Sequence, residues 1–98
     1  SIVAYVRAKK NSNSNNIETL YHMFDSRAEA IEFRVSEKSD VTDVPLKDLN
    51  LKKNLLIAFI NRNGNILLPT GQDSIQVGDT AMIVTTETGF TDIRDILA

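Results

Sequence analysis

The 98-residue sequence has no cysteine and no tryptophan, and it has only one histidine, two prolines and four glycines. Without cysteine, neither a disulfide nor a thiolate-bound metal can hold the fold together. A net charge of −2 at pH 7 disfavours a nucleic-acid-binding protein, which would carry a basic stripe. No apolar run approaches the roughly 20 residues that a transmembrane helix requires, so we expect no direct insertion into a membrane.

The length of the chain sets a limit on its core. A domain of this size buries only about 60–65% of the surface that its unfolded chain exposes, so its own core is marginal and a partner surface is expected. The sequence begins at Ser1 with apolar residues already at helical spacing. We therefore interpret it as a piece of a longer protein.

The first 16 residues are predicted to form a helix tail and a linker. Ile2, Val3, Tyr5 and Val6 repeat at helical spacing, and Lys9-Lys10 follow where a helix C-terminus favours positive charge. We predict the end of a helix over residues 1–10. The polar run at 11–16 is rich in Asn and Ser, whose side chains compete for backbone hydrogen bonds, and it is predicted to be a linker.

Residues 17–98 are predicted to form an α+β domain, with a small antiparallel or mixed sheet and short flanking helices. Segments 17–25 and 28–36 form a hairpin in this prediction, because the second alternates with Ile31, Phe33 and Val35 on one face. Pro45 can open a short helical turn over 45–50, and residues 90–97 show the spacing of a final amphipathic helix.

The stretch from Leu55 to Thr86 carries the clearest local signal. Asn63-Gly64 lies between two apolar runs, and this dipeptide favours a two-residue turn because both central residues need a positive φ. The second run stops at Pro69, a polar loop ends in Gly78-Asp79, and a third apolar strand follows from residue 80 to 86. The pattern predicts a three-stranded antiparallel unit.

The predicted hairpin would be apolar on both faces. Strict alternation assigns Leu55, Ile57, Phe59, Ile66 and Leu68 to one face, and Leu56, Ala58, Ile60 and Leu67 to the other. A solvated antiparallel sheet would be polar on one side. Either the 45–50 turn and the 90–97 helix cover opposite faces, or a second copy covers one. We favour a homodimer whose interface contains Leu56, Ala58, Ile60 and Leu67.

The residues that could carry catalysis are few. His22 has no serine or cysteine nucleophile with an orienting third group in a recognisable pattern. The carboxylates are scattered without the every-second-residue spacing of a calcium loop, so no metal site is assigned. There is no glycine-rich phosphate-binding motif either. We therefore expect a protein that is not an enzyme and has no catalytic residues.

The same stretch resembles a known family. It contains, in order, an apolar run, Arg62, Gly64, an apolar pair before Pro69, Gly71, Ile75, and Gly78-Asp79 before a Val/Ile-rich strand. In this order and spacing it resembles the C-terminal regulatory (RCK C-terminal) domain of TrkA-type potassium-uptake regulators. The resemblance spans roughly residues 28–97. It implies a cytoplasmic, peripheral regulatory subunit that acts on the channel subunit of a membrane potassium-uptake system. It also implies that residues 1–10 end a crossover helix, and that NAD(H) or ATP binds in a preceding domain.

The resemblance also implies a candidate effector site. Several members bind a small effector between two such domains, cyclic di-AMP being the best-known class. The positions that match the family's pocket are Leu46, Lys47, Asn50, Lys52, Leu56, Ile57 and Pro69. Here Lys52 replaces an arginine, which removes the planar guanidinium that can bind a phosphate through two hydrogen bonds. Leu56 replaces an asparagine, which removes a polar contact. The alternatives are another ligand, a ligand-free dimerisation scaffold, or the same domain on an anion or amino-acid transporter or a transcription regulator.

Overall fold

A computed structural model describes residues 3–6 and 17–98, and within them one six-stranded antiparallel sheet forms the framework. The strands are β1 (Val3–Val6), β2 (Ile17–Met23), β3 (Ala28–Arg34), β4 (Leu55–Arg62), β5 (Asn65–Leu67) and β6 (Thr80–Thr85). Their order in the sheet is β1-β2-β3-β6-β4-β5. Single turns of 3₁₀ helix, Leu46–Asp48 and Ile93–Ile96, stand where the sequence predicts flanking helices. The described part is therefore mainly β rather than the α+β structure expected.

The prediction of a helix at the start of the chain is wrong over Val3–Val6. This segment is a strand, which pairs antiparallel with β2 from Val3 opposite Met23 to Val6 opposite Leu20. A short apolar run does not distinguish a helix from a strand, and the β-branched valines together with the free edge of β2 favour the strand. The rest of 1–10 and the predicted linker at 11–16 lie outside the described residues.

The hairpin of β2 and β3 confirms the prediction. The strands pair antiparallel from Ile17 opposite Phe33 to Met23 opposite Ala28. Side chains on one face of β3 are fully buried, namely those of Ile31 and Phe33, and Val35 after the strand is buried with them. Alternation with one apolar face therefore identified the half-buried strand correctly.

The hairpin of β4 and β5 also has the predicted turn. Asn63 and Gly64 have φ angles of 54° and 84°, and Arg62 pairs with Asn65 and Ile60 with Leu67. The side chain of Asn61 stabilises the turn by accepting a hydrogen bond from the Gly64 N–H at 3.0 Å. Turn chemistry thus sets the register of this hairpin.

We expect Gly64→Ala to lower the free energy of unfolding by about 1–2 kcal/mol, because a side chain in the left-handed region is strained. A Cβ at this position would meet no atom within 4 Å, so the cost comes from the backbone alone. Urea unfolding would measure it, with Gly64→Asn as the control, since asparagine tolerates this region. An alanine variant as stable as the parent would contradict the assignment.

A β-bulge in β4 decides which face each side chain occupies. Ile57 pairs with Ile83, but the next pair is Phe59 with Met82, so Ala58 is the extra residue. The insertion reverses the alternation, and Ile57 and Ile60 therefore both face the core. The prediction that Ile60 and Leu67 lie with Leu56 and Ala58 on an interface face is wrong. Ile60 is fully buried, and Leu67 packs against the core.

The core lies on one side of the sheet. Its buried side chains are Ile31, Phe33, Val35, Val41, Ile57, Ile60, Ile75, Ala81, Ile83, Phe90, Ile93 and Ile96. Both 3₁₀ turns contribute to this single cluster, Leu46 from the first and Ile93 and Ile96 from the second. The alternative in which they cover opposite faces is therefore wrong. Among the described residues, these segments leave the second face of the sheet without a covering layer.

Candidate functional site

The second face of the sheet, hereafter the open face, carries an apolar concavity. It has a volume of about 360 Å³ and is lined by Tyr21, Met23, Ala30, Ala58, Phe59, Met82 and Val84. These side chains come from four adjacent strands, β2, β3, β6 and β4. An apolar surface of this kind commonly marks an interaction site on a soluble protein.

Strand register explains why the open face is apolar. Tyr21 lies opposite Ala30, Ala30 opposite Val84, and Val84 opposite Leu56, so these four form one row across the sheet. Side chains directly opposite each other on paired strands project to the same face. The small side chain of Ala30 lies between larger neighbours in this row. The surface of the open face is therefore depressed at Ala30.

Large apolar side chains extend this surface towards the edge of the sheet. Leu56 is 62% exposed and Ile66 is 58% exposed. Ile66 lies opposite Asn61 on the open face, and Leu68, just beyond β5, is exposed as well. Of the predicted interface residues, Leu56 and Ala58 lie on the open face. The bulge adds Phe59, which strict alternation had assigned to the other side.

The predicted effector residues on the first 3₁₀ turn pack against a loop. The Leu46 and Lys47 N–H groups donate to the carbonyls of Asp73 and Gly71, at 2.8 and 2.9 Å. Leu46 also contacts the core, whereas the Lys47 side chain is exposed and lies 3.7 Å from the Asp48 carboxylate. These contacts fix the turn, and they leave the Lys47 ammonium at the surface.

Asn50 and Lys52 hold the C-terminal segment. The Lys52 ammonium donates to the Asp95 carbonyl at 2.7 Å and lies 5.0 Å from the centre of the Phe90 ring. The Asn50 carbonyl accepts a hydrogen bond from the Ala98 N–H at 2.8 Å. Because its charge is already engaged, Lys52 has an internal role that the sequence did not reveal.

The predicted effector set is completed by Leu56, Ile57 and Pro69. In the structure, Leu56 and Ile57 lie on opposite sides of the sheet. Leu56 lines a cavity of about 300 Å³ at the end of the open face, together with Ala28, Asn54, Leu55, Val84, Thr85 and Thr86. Ile57 is in the core on the opposite side of the sheet, and Pro69 is half-buried beyond β5. Of the seven predicted residues, this cavity contains Leu56 alone.

Arg62 and Asp79 form the most buried ion pair described. The Arg62 guanidinium donates to both Asp79 oxygens at 2.9 Å, and Gln76 N–H adds a bond at 2.8 Å. Asp79 is 1% exposed, whereas the Arg62 side chain is 28% exposed. The hydrogen bonds to Asp79 raise the pKa of Arg62 above its ordinary value. This pair joins the β4–β5 hairpin to the loop before β6.

The one histidine of the sequence lies near a buried carboxylate. The Nδ1 atom of His22 lies 3.8 Å from the buried Glu29 carboxylate, at directly opposed positions of β2 and β3. No group of three or more metal-binding side chains occurs in the described ranges. The helices described in the structure are also too short to span a membrane.

Comparison with known proteins identifies the family. Residues 30–98 match the TrkA-C domain. The chain is 34% identical over 71 residues to the Trk system potassium uptake protein TrkA homolog of Pyrococcus abyssi. This match covers 71% of this chain and 31% of that protein. It is 40% identical over 58 residues to the homolog of the same name from Archaeoglobus fulgidus, covering 59% of this chain and 13% of the relative. The chain thus spans less than a third of either relative. The family match begins within β3 and includes β4, β5 and β6. The chain belongs to the TrkA-C domain family.

Proposed function

We propose that this chain is a regulatory, non-catalytic domain of a cytosolic subunit that controls a membrane potassium-uptake system, and that it acts as a homodimer through the open face. The relatives named above are Trk system potassium uptake proteins, which supports the connection with potassium uptake. The observation that carries the dimer is the apolar concavity, which both 3₁₀ turns leave uncovered.

A second copy suits this surface because the same patch can serve both partners around a twofold axis. The centre of the open face is apolar, with Phe59 and Met82 directly opposite each other. Polar side chains, among them Glu32 and Arg34, lie on the same face outside this concavity. An apolar centre with a polar rim is the usual anatomy of a protein–protein interface.

Phe59→Asp is expected to abolish the dimer and leave the monomer folded. The aspartate would place an unpaired charge in the centre of the interface, yet it would be solvated in the separated monomer. The matched control is Phe24→Asp, since Phe24 is 49% exposed in the β2–β3 turn and lies outside the concavity. Analytical ultracentrifugation should show a monomer for the first variant and a dimer for the second. A parent chain that is monomeric at high concentration, or a dimeric Phe59→Asp variant, would contradict the proposal.

Regulation would follow from the dimer. An effector or partner that prefers one arrangement of the two domains shifts the population by its differential affinity, and adjoining domains transmit the change to the channel subunit. A chimera of the Pyrococcus abyssi relative, with its matching region replaced by this chain, would test the link. It should support potassium-limited growth of an uptake-deficient host, and the Phe59→Asp chimera should not.

A ligand-free scaffold is the second candidate, and Lys52 is the observation that favours it. Its ammonium is bound to the Asp95 carbonyl, so it is engaged within the domain. A thermal-shift screen with cyclic di-AMP, NAD(H), ATP and monovalent and divalent ions separates the two candidates. Stabilisation by one compound that is lost in Leu56→Asp identifies an effector domain. A dimer indifferent to all of them is a scaffold.

A further inference from the structure

A polar pocket lies at the end of the sheet where the β4–β5 turn is located. Its volume is about 180 Å³, and it is lined by Arg34, Asn61, Asn63, Gly64, Gly78 and Thr80. None of these residues belongs to the predicted effector set or to the apolar concavity. No carboxylate is among them, although the chain as a whole is acidic.

Strand register brings three of the lining side chains together. Thr80 begins β6, the central partner of both β3 and β4, and it lies opposite Arg34 on one side and Asn61 on the other. The three therefore stand in a row across the sheet on the same face. Asn63, Gly64 and Gly78, which lie in the adjoining turns, also line the pocket, and all three have positive φ angles.

The pocket offers hydrogen-bond donors. The Asn61 Oδ1 atom already accepts from the Gly64 N–H, which leaves the amide NH₂ of Asn61 as a donor. The Thr80 hydroxyl adds a second donor of neutral charge. Arg34 supplies a guanidinium that makes no hydrogen bond or ion pair with the described residues, whereas Arg27, Arg62 and Arg94 are all engaged.

We propose that this pocket binds a small oxyanion, a phosphate or a carboxylate group, through Arg34, Asn61 and Thr80. A guanidinium fork matches the spacing of two oxygens on either group, and charge-assisted bonds are about twice as strong as neutral ones. A cavity this small holds the anionic group itself rather than a whole nucleotide, because drug-sized ligands occupy roughly 300–1,000 Å³. The anion is either a free ion or the end group of a larger molecule. The inference does not depend on the proposed dimer.

A titration followed by ¹H–¹⁵N correlation spectra tests the site with the intact chain. Inorganic phosphate, acetate and glycerol phosphate are added at constant ionic strength, with chloride as the reference salt. We expect saturable shifts of the Gly64, Gly78 and Thr80 amides, with a Kd on the order of 1 mM, since Arg34 is solvent-exposed. Binding of glycerol phosphate as tight as that of phosphate would indicate an end group, and binding of phosphate alone a free ion.

Variants make the assignment specific. Arg34→Gln should weaken binding at least about tenfold, and Thr80→Val should weaken it by a smaller factor because only a neutral donor is lost. Arg27→Gln, in the turn that precedes β3, is the matched control and should bind as the parent does. The spectrum of each variant before titration reports its folding. Shifts that chloride reproduces, or that persist unchanged in Arg34→Gln, would overturn the proposal.

Discussion

Replacing Arg62 by leucine is expected to lower the free energy of unfolding by about 3 kcal/mol. The substitution leaves the Asp79 carboxylate 1% exposed with no cation beside it, and removing one partner of a buried ion pair costs roughly 3–5 kcal/mol. The lower end of that range applies because the Arg62 side chain is partly exposed. For a domain of this size the melting temperature should fall by more than about 10 °C.

Two further variants separate the buried charge from other effects of the substitution. The double variant with Arg62→Leu and Asp79→Asn should recover part of the loss, because asparagine is neutral and still accepts the Gln76 N–H. Arg94→Leu removes an arginine whose ion pair with Asp92 is more exposed, and its loss should be much smaller. If Arg62→Leu unfolded at the parent's urea concentration, the structural importance assigned to this pair would be wrong.

Ile60→Ala is expected to cost about 2–5 kcal/mol, the usual range for truncating a fully buried isoleucine. Ile60 is 0% exposed, and it faces Ala81 across the β4–β6 pair. The neighbouring Phe59 lies on the open face, so Phe59→Ala should act mainly on the proposed dimer. Urea unfolding of both variants over a range of protein concentrations would measure the difference.

The concentration dependence distinguishes the two neighbours. The loss caused by Ile60→Ala should be the same at all concentrations, whereas the loss caused by Phe59→Ala should shrink on dilution as the dimer dissociates. The opposite result would show that Ala58 is not a bulge and that strict alternation continues through β4.

The sequence predicted those elements whose signal is local. Asn63-Gly64 identified the second hairpin and its register, because few dipeptides accept two consecutive positive φ angles. Alternation in 28–36 identified β3 and its buried face. Asp79 directly follows Gly78 at the end of the polar loop, and it accepts the Gln76 N–H there, as aspartate beside a turn commonly does.

The sequence did not predict the features that depend on contacts between residues far apart in the chain. The bulge at Ala58 arises from pairing with β6, and a one-residue insertion in the register leaves no local pattern. It moved Ile60 and Leu67 to the core and Phe59 to the open face. The strand at Val3–Val6 depends on the edge of β2 in the same way. The partner of Lys52, the Asp95 carbonyl, is 43 positions away in sequence.

The pocket at Arg34 was missed for a related reason. Arg34, Asn61 and Thr80 are far apart in the chain, and each alone is typical of a solvated strand end. Only the strand order reveals the row, because β6 lies between β3 and β4.

The position of β6 also determines how the protein acquires its structure. Among the described strands, β2 pairs with both β1 and β3, β4 pairs with β5, and only β6 joins the two groups. The sheet can therefore become one unit only after β6, the last of the described strands in chain order, has been synthesised. Until then β3 and β4 each present an unpaired edge, and such edges recruit other chains. Because the sheet closes through contacts between strands far apart in the chain, we expect this domain to fold more slowly than a helical domain of the same size.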